Sequence, residues 1–292
     1  MNTDTKFNRL AIIGVGLIGG SLARAVRQAG GCTEVIGCGR NVSHLQKAVS
    51  LGVIDRFETD IGKAVHDADM VVVAVPLGAM AAVFKQISPH LSANATITDV
   101  GSAKSSVVND ARSHLGQHLS SFVPGHPIAG TEKNGVEASF AELYRDHCVI
   151  LTPLKETNPA ALKRVHALWK YTGAEVVEME PYRHDEVLAA TSHLPHVLAY
   201  SLVDTLARLG RGEEIFRFAA GGFRDFTRIA SSDPVMWRDI CLANRDAIMD
   251  VLGKFTGDLE RLAQAIKKGD GDYILKSFSQ AKQHRDQLLM KK

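Results

Sequence analysis

A histidine pair and an arginine pair are the side chains whose types and spacing best fit small-molecule chemistry. His193 and His196 are three positions apart, which places both imidazoles on one face of a helix, although such a pair is also common as an ordinary hydrogen-bonded feature. Arg224 and Arg228 follow among glycines and hydroxyl residues, and arginine is well suited to bidentate carboxylate recognition. No nearby carboxylate completes a metal-ligand set, so we expect no metal. Trp237 either roofs a pocket or fills the core.

The loop from residue 122 to residue 135 is a second candidate for ligand binding. It is rich in glycine and proline but also contains the polar residues His126, Thr131 and Glu132. This composition is typical of a binding loop that a rigid scaffold holds in place. We therefore expect the loop to border the site.

A glycine-rich fingerprint near the N-terminus predicts a dinucleotide site. Gly14, Gly16 and Gly19 have G-x-G-x-x-G spacing between the apolar run 10–13 and the helical pattern 21–28. The first glycine allows a tight turn, the second lets a pyrophosphate approach the backbone, and the third lets helix and strand pack closely. The phosphates would face the free N–H groups at the helix N-terminus. The spacing alone is a common pattern, but its strand–turn–helix context favours a nucleotide.

The end of the second expected strand, residues 33–37, decides between NAD and NADP. An acidic residue there would hold the ribose 2′-hydroxyl of NAD. This chain has Arg40 instead, 21 positions after Gly19, with Asn41 and Ser43 beside it. A cation with these neighbours predicts NADP, whereas a merely solvated Arg40 would leave NAD possible. The expected cofactor contacts are Gly14, Gly16, Leu17, Ile18, Gly19, Arg40, Ser43, Val75, Pro76 and Gly101.

Alternating strand and helix patterns predict the elements that hold these residues. A continuous apolar run over 70–75 ends at Pro76, and a further strand over 95–99 leads into a turn with Gly101 and Ser102. This alternation indicates an α/β Rossmann fold with a doubly wound, largely parallel sheet and right-handed crossovers. Its ligand crevice lies at the carboxyl ends of the strands, which places Gly101 and Ser102 on the rim.

The strand signals stop in the last two fifths of the chain. Residues 147–152 and 174–179 are expected strands, the second of them at the sheet edge. We therefore expect a dinucleotide-binding Rossmann domain over residues 1–180 and an all-α helical substrate and dimerisation domain over residues 181–292. Apolar positions on more than one helix face suggest a bundle on the first domain or a dimer interface.

Proline and glycine predict where the helices of this second part kink or break. Pro195 predicts a kink in the first long helix. Further helices are expected over 234–252, 258–267 and 272–289, with a break at Gly221 and Gly222.

Composition restricts the class of protein and its partners. The 292 residues are 45% hydrophobic and 23% charged, as is usual for a globular protein. A formal net charge of +2, without a long basic block, argues against nucleic-acid binding. No stretch resembles a signal peptide or a membrane span, and the four cysteines are scattered. We therefore expect a cytoplasmic protein without a membrane partner.

Five motifs together resemble the prephenate/arogenate dehydrogenase family of tyrosine biosynthesis, over nearly the whole chain. They are GVGLIGGS, DVGSAKS, GHPIAGTEKNG, TSHLPHVLAYSL and GGFRDFTRIASSDPVMWRDI. The resemblance implies oxidative decarboxylation of prephenate, arogenate or both, with hydride transfer to NADP or NAD, by a homodimer that pairs through its helical domain. Some family members add a chorismate mutase segment or a regulatory domain, neither of which we expect here.

The same resemblance implies roles for individual residues. His126 would be the catalytic histidine, and Ser102 would lie near the nicotinamide and the substrate hydroxyl. The implied substrate contacts are Thr131, Glu132, His193, His196, Arg228 and Trp237.

Two other functions are compatible with a Rossmann domain followed by helices. A β-hydroxy-acid dehydrogenase would share this organisation but usually depends on a lysine base in its helical domain. A non-catalytic NADP-binding sensor would bind cofactor without turnover and would leave the histidines and Arg228 unexplained.

Overall fold

The computed structural model describes residues 5–209 and 212–289, and the chain divides into two compact units between Arg245 and Asp246. The main sheet of the first unit contains β1 (Phe7–Ile13), β2 (Cys32–Cys38), β3 (Arg56–Glu58), β4 (Met70–Val73), β5 (Thr96–Asp99) and β6 (Phe122–Val123). The helices between these strands are α1 (Leu17–Gln28), α2 (Val42–Ser50), α3 (Ile61–Val65), α4 (Met80–Ile87) and α5 (Ser105–His114). The strand order is β3-β2-β1-β4-β5-β6 and every neighbouring pair is parallel. This order confirms the predicted doubly wound Rossmann fold.

Strand β1 shows why the central strands are continuous apolar runs. Leu10 and Ile12 pack into one buried apolar cluster, whereas Ala11 and Ile13 pack into a second one. Successive side chains of a strand point to opposite faces, so a sheet covered by helices on both sides needs apolar residues throughout. The strand order reverses between β1 and β4, and the crevice at this point lies beside Gly14 and Ala74.

A second, three-stranded sheet corrects one prediction. It contains β7 (Gly125–Pro127), β8 (Cys148–Leu151) and β9 (Glu175–Glu178), and α6 (Pro159–Lys170) connects its last two strands. The prediction that residues 174–179 close the edge of the main sheet is therefore wrong. Pro124 separates β6 from β7 and has no N–H to continue the first ladder, so the chain leaves one sheet and enters the other there. This transfer brings His126 into β7.

Between Pro181 and Ala243 the described residues form helices joined by short turns, with no strand among them. These helices are α7 (Pro181–Leu188), α8 (Leu194–Ala207), α9 (Gly212–Arg217), α10 (Gly221–Thr227) and α11 (Pro234–Ala243). A π-helical turn, Ala189–His193, joins α7 to α8. Pro195 has no N–H to donate to the carbonyl of Thr191, so the helical hydrogen-bond ladder is interrupted next to the π turn. The expected break lies just before Gly221 and Gly222, because α9 ends at Arg217 and these two glycines start α10.

The last two helices, α12 (Arg245–Lys268) and α13 (Gly271–Leu289), also differ from the sequence prediction. One helix over 234–252 and another over 258–267 were expected, but the break lies at Asn244 and α12 continues through Gly253 and Gly257. Glycine lowers helix stability by about 1 kcal/mol relative to alanine, which a 24-residue helix tolerates. Within the described ranges, none of the helices has the length and apolarity needed to cross a membrane.

Candidate active site

A cleft of about 380 Å³ opens at the carboxyl ends of β4 and β5, within the first unit. Its walls come from the β1–α1 turn, residues 74–77, residues 100–102, the loop 126–135, the π turn and residues 232–240. The predicted residues that line it are Gly16, Leu17, Ile18, Gly19, Val75, Pro76, Gly101, Ser102, Thr131, Glu132, His126, His193 and Trp237. The predicted residues that do not line it are Gly14, Arg40, Ser43, His196 and Arg228.

The three fingerprint glycines have different surroundings. Gly14 has a φ of +99°, and a Cβ there would lie 2.2 Å from the carbonyl oxygen of Ala74. A Cβ at Gly19 would lie 2.2 Å from the carbonyl oxygen of Gly14, whereas a Cβ at Gly16 would meet nothing within 4 Å. Gly14 and Gly19 therefore close the turn, and Gly16 leaves open space beside the backbone. Gly16 is also the N-cap of α1, and no side chain caps this helix, so the first N–H groups of α1 lie free beside this space.

Arg40 lies two positions beyond the end of β2 and is exposed. Asn41 caps α2 by accepting a hydrogen bond of 3.2 Å from the backbone N–H of His44. Ser43 donates its hydroxyl to the same Asn41 oxygen over 2.7 Å. The cap fixes the start of α2 directly after Arg40.

A buried ion pair holds the backbone next to His126 and Ser102. Lys104 Nζ lies 2.5 Å from Asp99 Oδ2 and donates to the Gly125 carbonyl over 2.7 Å, and neither charged side chain is exposed. Asp99 accepts in addition from the N–H groups of Gly101 and Gly125, over 2.7 and 3.1 Å. Burial lowers the pKa of Lys104, and the nearby Asp99 charge opposes that shift. The pair thus joins the end of β5 to the start of β7.

His126 is buried in β7 with its ring at the cleft. Its Nδ1 lies 2.8 Å from His184 Nε2, and the two rings meet edge to face. Burial lowers the pKa of His126 well below its ordinary value, and the charges of His184, Lys104 and His193 add to this effect. The imidazole is therefore neutral at pH 7, which is the form that accepts a proton.

The π turn brings His193 into the cleft wall. Asn244, at the break between α11 and α12, places its Nδ2 3.0 Å from His193 Nδ1 and donates to the Asp185 carbonyl over 2.9 Å. Burial lowers the pKa of His193 to about 4, so this ring is also neutral. Among residues 5–209 and 212–289, no group of three or more histidine, cysteine or acidic side chains is suited to hold a metal ion.

His196 contacts the site through Trp237. The two rings stack with centroids 3.6 Å apart, and His196 Nδ1 donates to the Ser192 carbonyl over 2.8 Å. Trp237 is buried and also borders the cleft, so it belongs both to the core and to the wall of the pocket.

Arg228 and Glu132 form an ion pair at the mouth of the cleft. Glu132 belongs to the loop after β7 and lines the cleft, whereas Arg228 follows α10 and is largely exposed. The pair links the two segments that the sequence marked as ligand-binding.

Four residues of this region were missed in the sequence: Lys104, His184, Asp185 and Asn244. No spacing in the chain connects these positions, because their partners are up to 81 residues away. The available signal was weak: His184 and Asp185 are polar residues in a helix, and only burial shows that they face inward.

Two family models match the chain. The nucleotide-binding domain of prephenate dehydrogenase matches residues 22–178, and the dimerization domain of prephenate dehydrogenase matches residues 180–280.

Individual relatives resemble the chain over nearly its full length. A cyclohexadienyl dehydrogenase of Zymomonas mobilis is 41% identical over 285 residues, which cover 96% of each chain. The structure of Aquifex aeolicus prephenate dehydrogenase with hydroxyphenyl propionate and NAD⁺ has a TM-score of 0.90 and 40% identity, covering 96% of this chain and 98% of that one. Arogenate dehydrogenase of Synechocystis has a TM-score of 0.80 and 27% identity, with 96% and 99% covered. The chain therefore belongs to the prephenate dehydrogenase family and is a nicotinamide-dependent oxidoreductase.

Proposed function

We propose that this protein oxidises and decarboxylates prephenate, arogenate or both, and so forms 4-hydroxyphenylpyruvate or tyrosine in tyrosine biosynthesis. The observation that carries the proposal is that neutral His126 and the hydroxyl residue Ser102 line the same cleft as the glycine turn. The relatives named above are a cyclohexadienyl dehydrogenase, a prephenate dehydrogenase and an arogenate dehydrogenase.

His126 is the proposed base. Both substrates carry a hydroxyl at C4 and a carboxylate at C1 of a cyclohexadiene ring. His126 accepts the hydroxyl proton, and Ser102, on the rim after β5, positions the oxygen. Oxidation at C4 makes the ring an electron sink, so the C1 carboxylate leaves as CO₂ and the ring becomes aromatic. The chain needs no separate group for CO₂ loss.

The glycine turn fits a nicotinamide nucleotide. The open space at Gly16 and the free N–H groups of α1 suit a pyrophosphate, while Val75, Pro76 and Gly101 line the cleft further in. A nicotinamide held there would supply the acceptor for the hydride that leaves C4. The chain's own contribution is to hold the reacting ring against this wall and to exclude water.

Arg40 supports a preference for NADP over NAD. Its exposed guanidinium at the end of β2 suits a 2′-phosphate, and the Ser43 hydroxyl is close in sequence. The Aquifex aeolicus relative was solved with NAD⁺, so the preference is proposed for this chain alone.

Substrate carboxylates are assigned to the mouth of the cleft. Arg228 pairs there with Glu132, and an incoming carboxylate would compete with Glu132 for the guanidinium. Thr131 and His193 line the same region, and His196 supports Trp237 from behind. Glu132, once free of Arg228, could pair with the ammonium group of arogenate, which prephenate lacks.

We also propose that residues 1–180 form a Rossmann domain and that the chain forms a homodimer through its helical residues 181–292. A dimerization-domain model matches residues 180–280. The second unit exposes several large apolar side chains: Met249, Leu259, Ile266, Leu275 and Phe278. Apolar surface of this kind is typical of a subunit interface.

Initial-rate assays test the function directly. NAD⁺ and NADP⁺ are each combined with prephenate and with arogenate, and nicotinamide reduction is followed by absorbance. We expect turnover with at least one of the two acids, faster with NADP⁺ than with NAD⁺.

Two other results would contradict parts of this proposal. Faster turnover with NAD⁺ would contradict the role of Arg40 but leave the reaction in place. Cofactor binding without turnover in any mixture would overturn the proposed function.

A further inference from the structure

A chain of hydrogen bonds runs from the cleft into the protein behind His126. His126 Nδ1 lies 2.8 Å from His184 Nε2, and His184 Nδ1 lies 2.9 Å from Asp185 Oδ1. All three side chains are at least nine-tenths buried. The chain thus begins at the cleft-lining imidazole and ends at a carboxylate.

The carboxylate determines where the protons lie. Asp185 can only accept, so a neutral His184 must carry its proton on Nδ1. His184 Nε2 then has a free lone pair and accepts the Nδ1 proton of His126. The second nitrogen of His126, Nε2, is left without a proton, which is the state that a base at the cleft requires.

Asp185 is itself fixed in position. Its Oδ1 accepts from the backbone N–H of Lys104 and its Oδ2 from that of Ser105, each over 2.8 Å. Its carbonyl accepts from Asn244 Nδ2 over 2.9 Å. A carboxylate held by the start of α5 and by Asn244 cannot turn away from His184.

Burial keeps both imidazoles neutral, against the effect of the nearby carboxylates on His184. Burial lowers the pKa of His184; its hydrogen bond to Asp185 opposes the shift, and the Lys104 charge adds to it. The other charged or titratable groups near the pair are Asp99 and His193. Burial would raise the pKa of Asp185, but its hydrogen bonds from His184, Ser105 and Lys104 lower it, so the carboxylate stays ionised.

We propose that His184 and Asp185 are positioning residues that set the tautomer and ring orientation of His126. Neither residue lines the cleft, so they act through His126 and not on the substrate. The inference rests on the proposed function for the identity of the reaction, but the proton arrangement itself does not depend on any substrate.

Two amide variants of His184 form a matched test. In H184Q the side-chain oxygen can occupy the place of Nε2 and accept from His126, whereas in H184N the shorter amide reaches only the place of Nδ1. We expect H184N to lower kcat at least about tenfold, and H184Q to keep most of it, with KM for the cofactor unchanged in both. H166Q, which alters the pair between His166 on α6 and Glu178 on β9 outside the cleft, should match the wild type.

Nitrogen NMR of histidine-labelled protein supplies a second readout that needs no substrate. The His126 signals are those that disappear in H126N. We expect protonated Nδ1 and unprotonated Nε2 in the wild type and in H184Q, and loss of this fixed tautomer in H184N.

The outcomes are distinct. Equal kcat for H184N and H184Q, or a wild-type His126 protonated at Nε2, would overturn the positioning role. If the wild type is active but H184N and H184Q have equal kcat, only this inference is refuted. A wild type inactive with both acids, but with the expected His126 signals, would refute only the proposed reaction.

Discussion

The two walls of the cleft are built on different principles. The glycine wall, formed by the β1–α1 turn and the residues after β4, presents backbone and apolar side chains and has no ionisable side chain at the cleft. The histidine wall, formed by β7, the π turn and α11, presents His126 and His193, each with a buried partner behind it.

This difference assigns binding and chemistry to separate parts of the molecule. The glycine wall recognises the cofactor by shape and through the N-terminus of α1. This recognition does not depend on the protonation state of a side chain. The histidine wall depends on neutral imidazoles in fixed tautomers, which burial and long-range hydrogen bonds provide. Substitutions in one wall should therefore change cofactor affinity, and substitutions in the other should change the chemical step.

The largest expected effect is that of H126N. Asparagine keeps a polar group in β7 but cannot take up the hydroxyl proton, so kcat should fall by about 10²–10⁴-fold with little change in the KM of substrate or cofactor. Steady-state kinetics measures both constants. An unchanged kcat would remove His126 from the reaction.

R228A should have the next largest effect. Loss of a charge-assisted hydrogen bond to the substrate carboxylate should raise the substrate KM about 10- to 100-fold, with a smaller change in kcat. T157A, a substitution at a hydroxyl that bonds to the backbone of Leu154 outside the cleft, is a suitable control. An increase in KM confined to the cofactor would show that Arg228 serves the other ligand.

G14A and G16A test whether the two glycines have different roles in the glycine wall. G16A meets no neighbour within 4 Å, so its unfolding free energy should stay within about 0.5 kcal/mol of wild type while cofactor affinity falls about tenfold. G14A forces a Cβ to 2.2 Å from Ala74 at a φ of +99°, and should lose more than about 1 kcal/mol of stability. Calorimetry and cofactor titration measure the two quantities. Equal stability losses would contradict the different roles of these glycines.

The smallest expected effect concerns pH. The base must be unprotonated, and burial lowers the pKa of His126 well below 6.5, so the acid limb of kcat/KM should lie below pH 6.5. Between pH 7.5 and 6.5, kcat/KM should change by less than about twofold, the loss that an unshifted histidine would show. An apparent pKa of 6.5 or above on this limb would show that the ring is not desolvated as the structure indicates.

The glycine wall could be predicted from the sequence because its determinants are local. Gly14, Gly16 and Gly19 lie within six residues of one another between a strand and a helix, and the pattern specifies both the turn and its ligand. The doubly wound, parallel character of the main sheet followed from the same alternation of apolar runs and helices. The motif resemblance located His126 and Arg228, but no local rule connected the two.

The histidine wall could not be predicted in the same way because its contacts are long-range. His126 and His184 are 58 residues apart, and neither position shows its partner. The wrong assignment of residues 174–179 has the same origin, since a short apolar run does not specify which sheet it joins. The break at Asn244 was missed because the side chain that anchors it bonds to His193 and Asp185.

A double-mutant cycle of G16A and H126N tests the separation of the two walls most directly. Cofactor Kd and the single-turnover rate at saturating ligands are measured for the wild type, both single variants and the double variant. The account predicts that the double variant has the Kd of G16A and the rate of H126N, each within about twofold, as for independent sites. A double variant whose Kd differs from that of G16A, or whose rate differs from that of H126N, by much more than twofold would show that the two walls act as one unit and would contradict their separation.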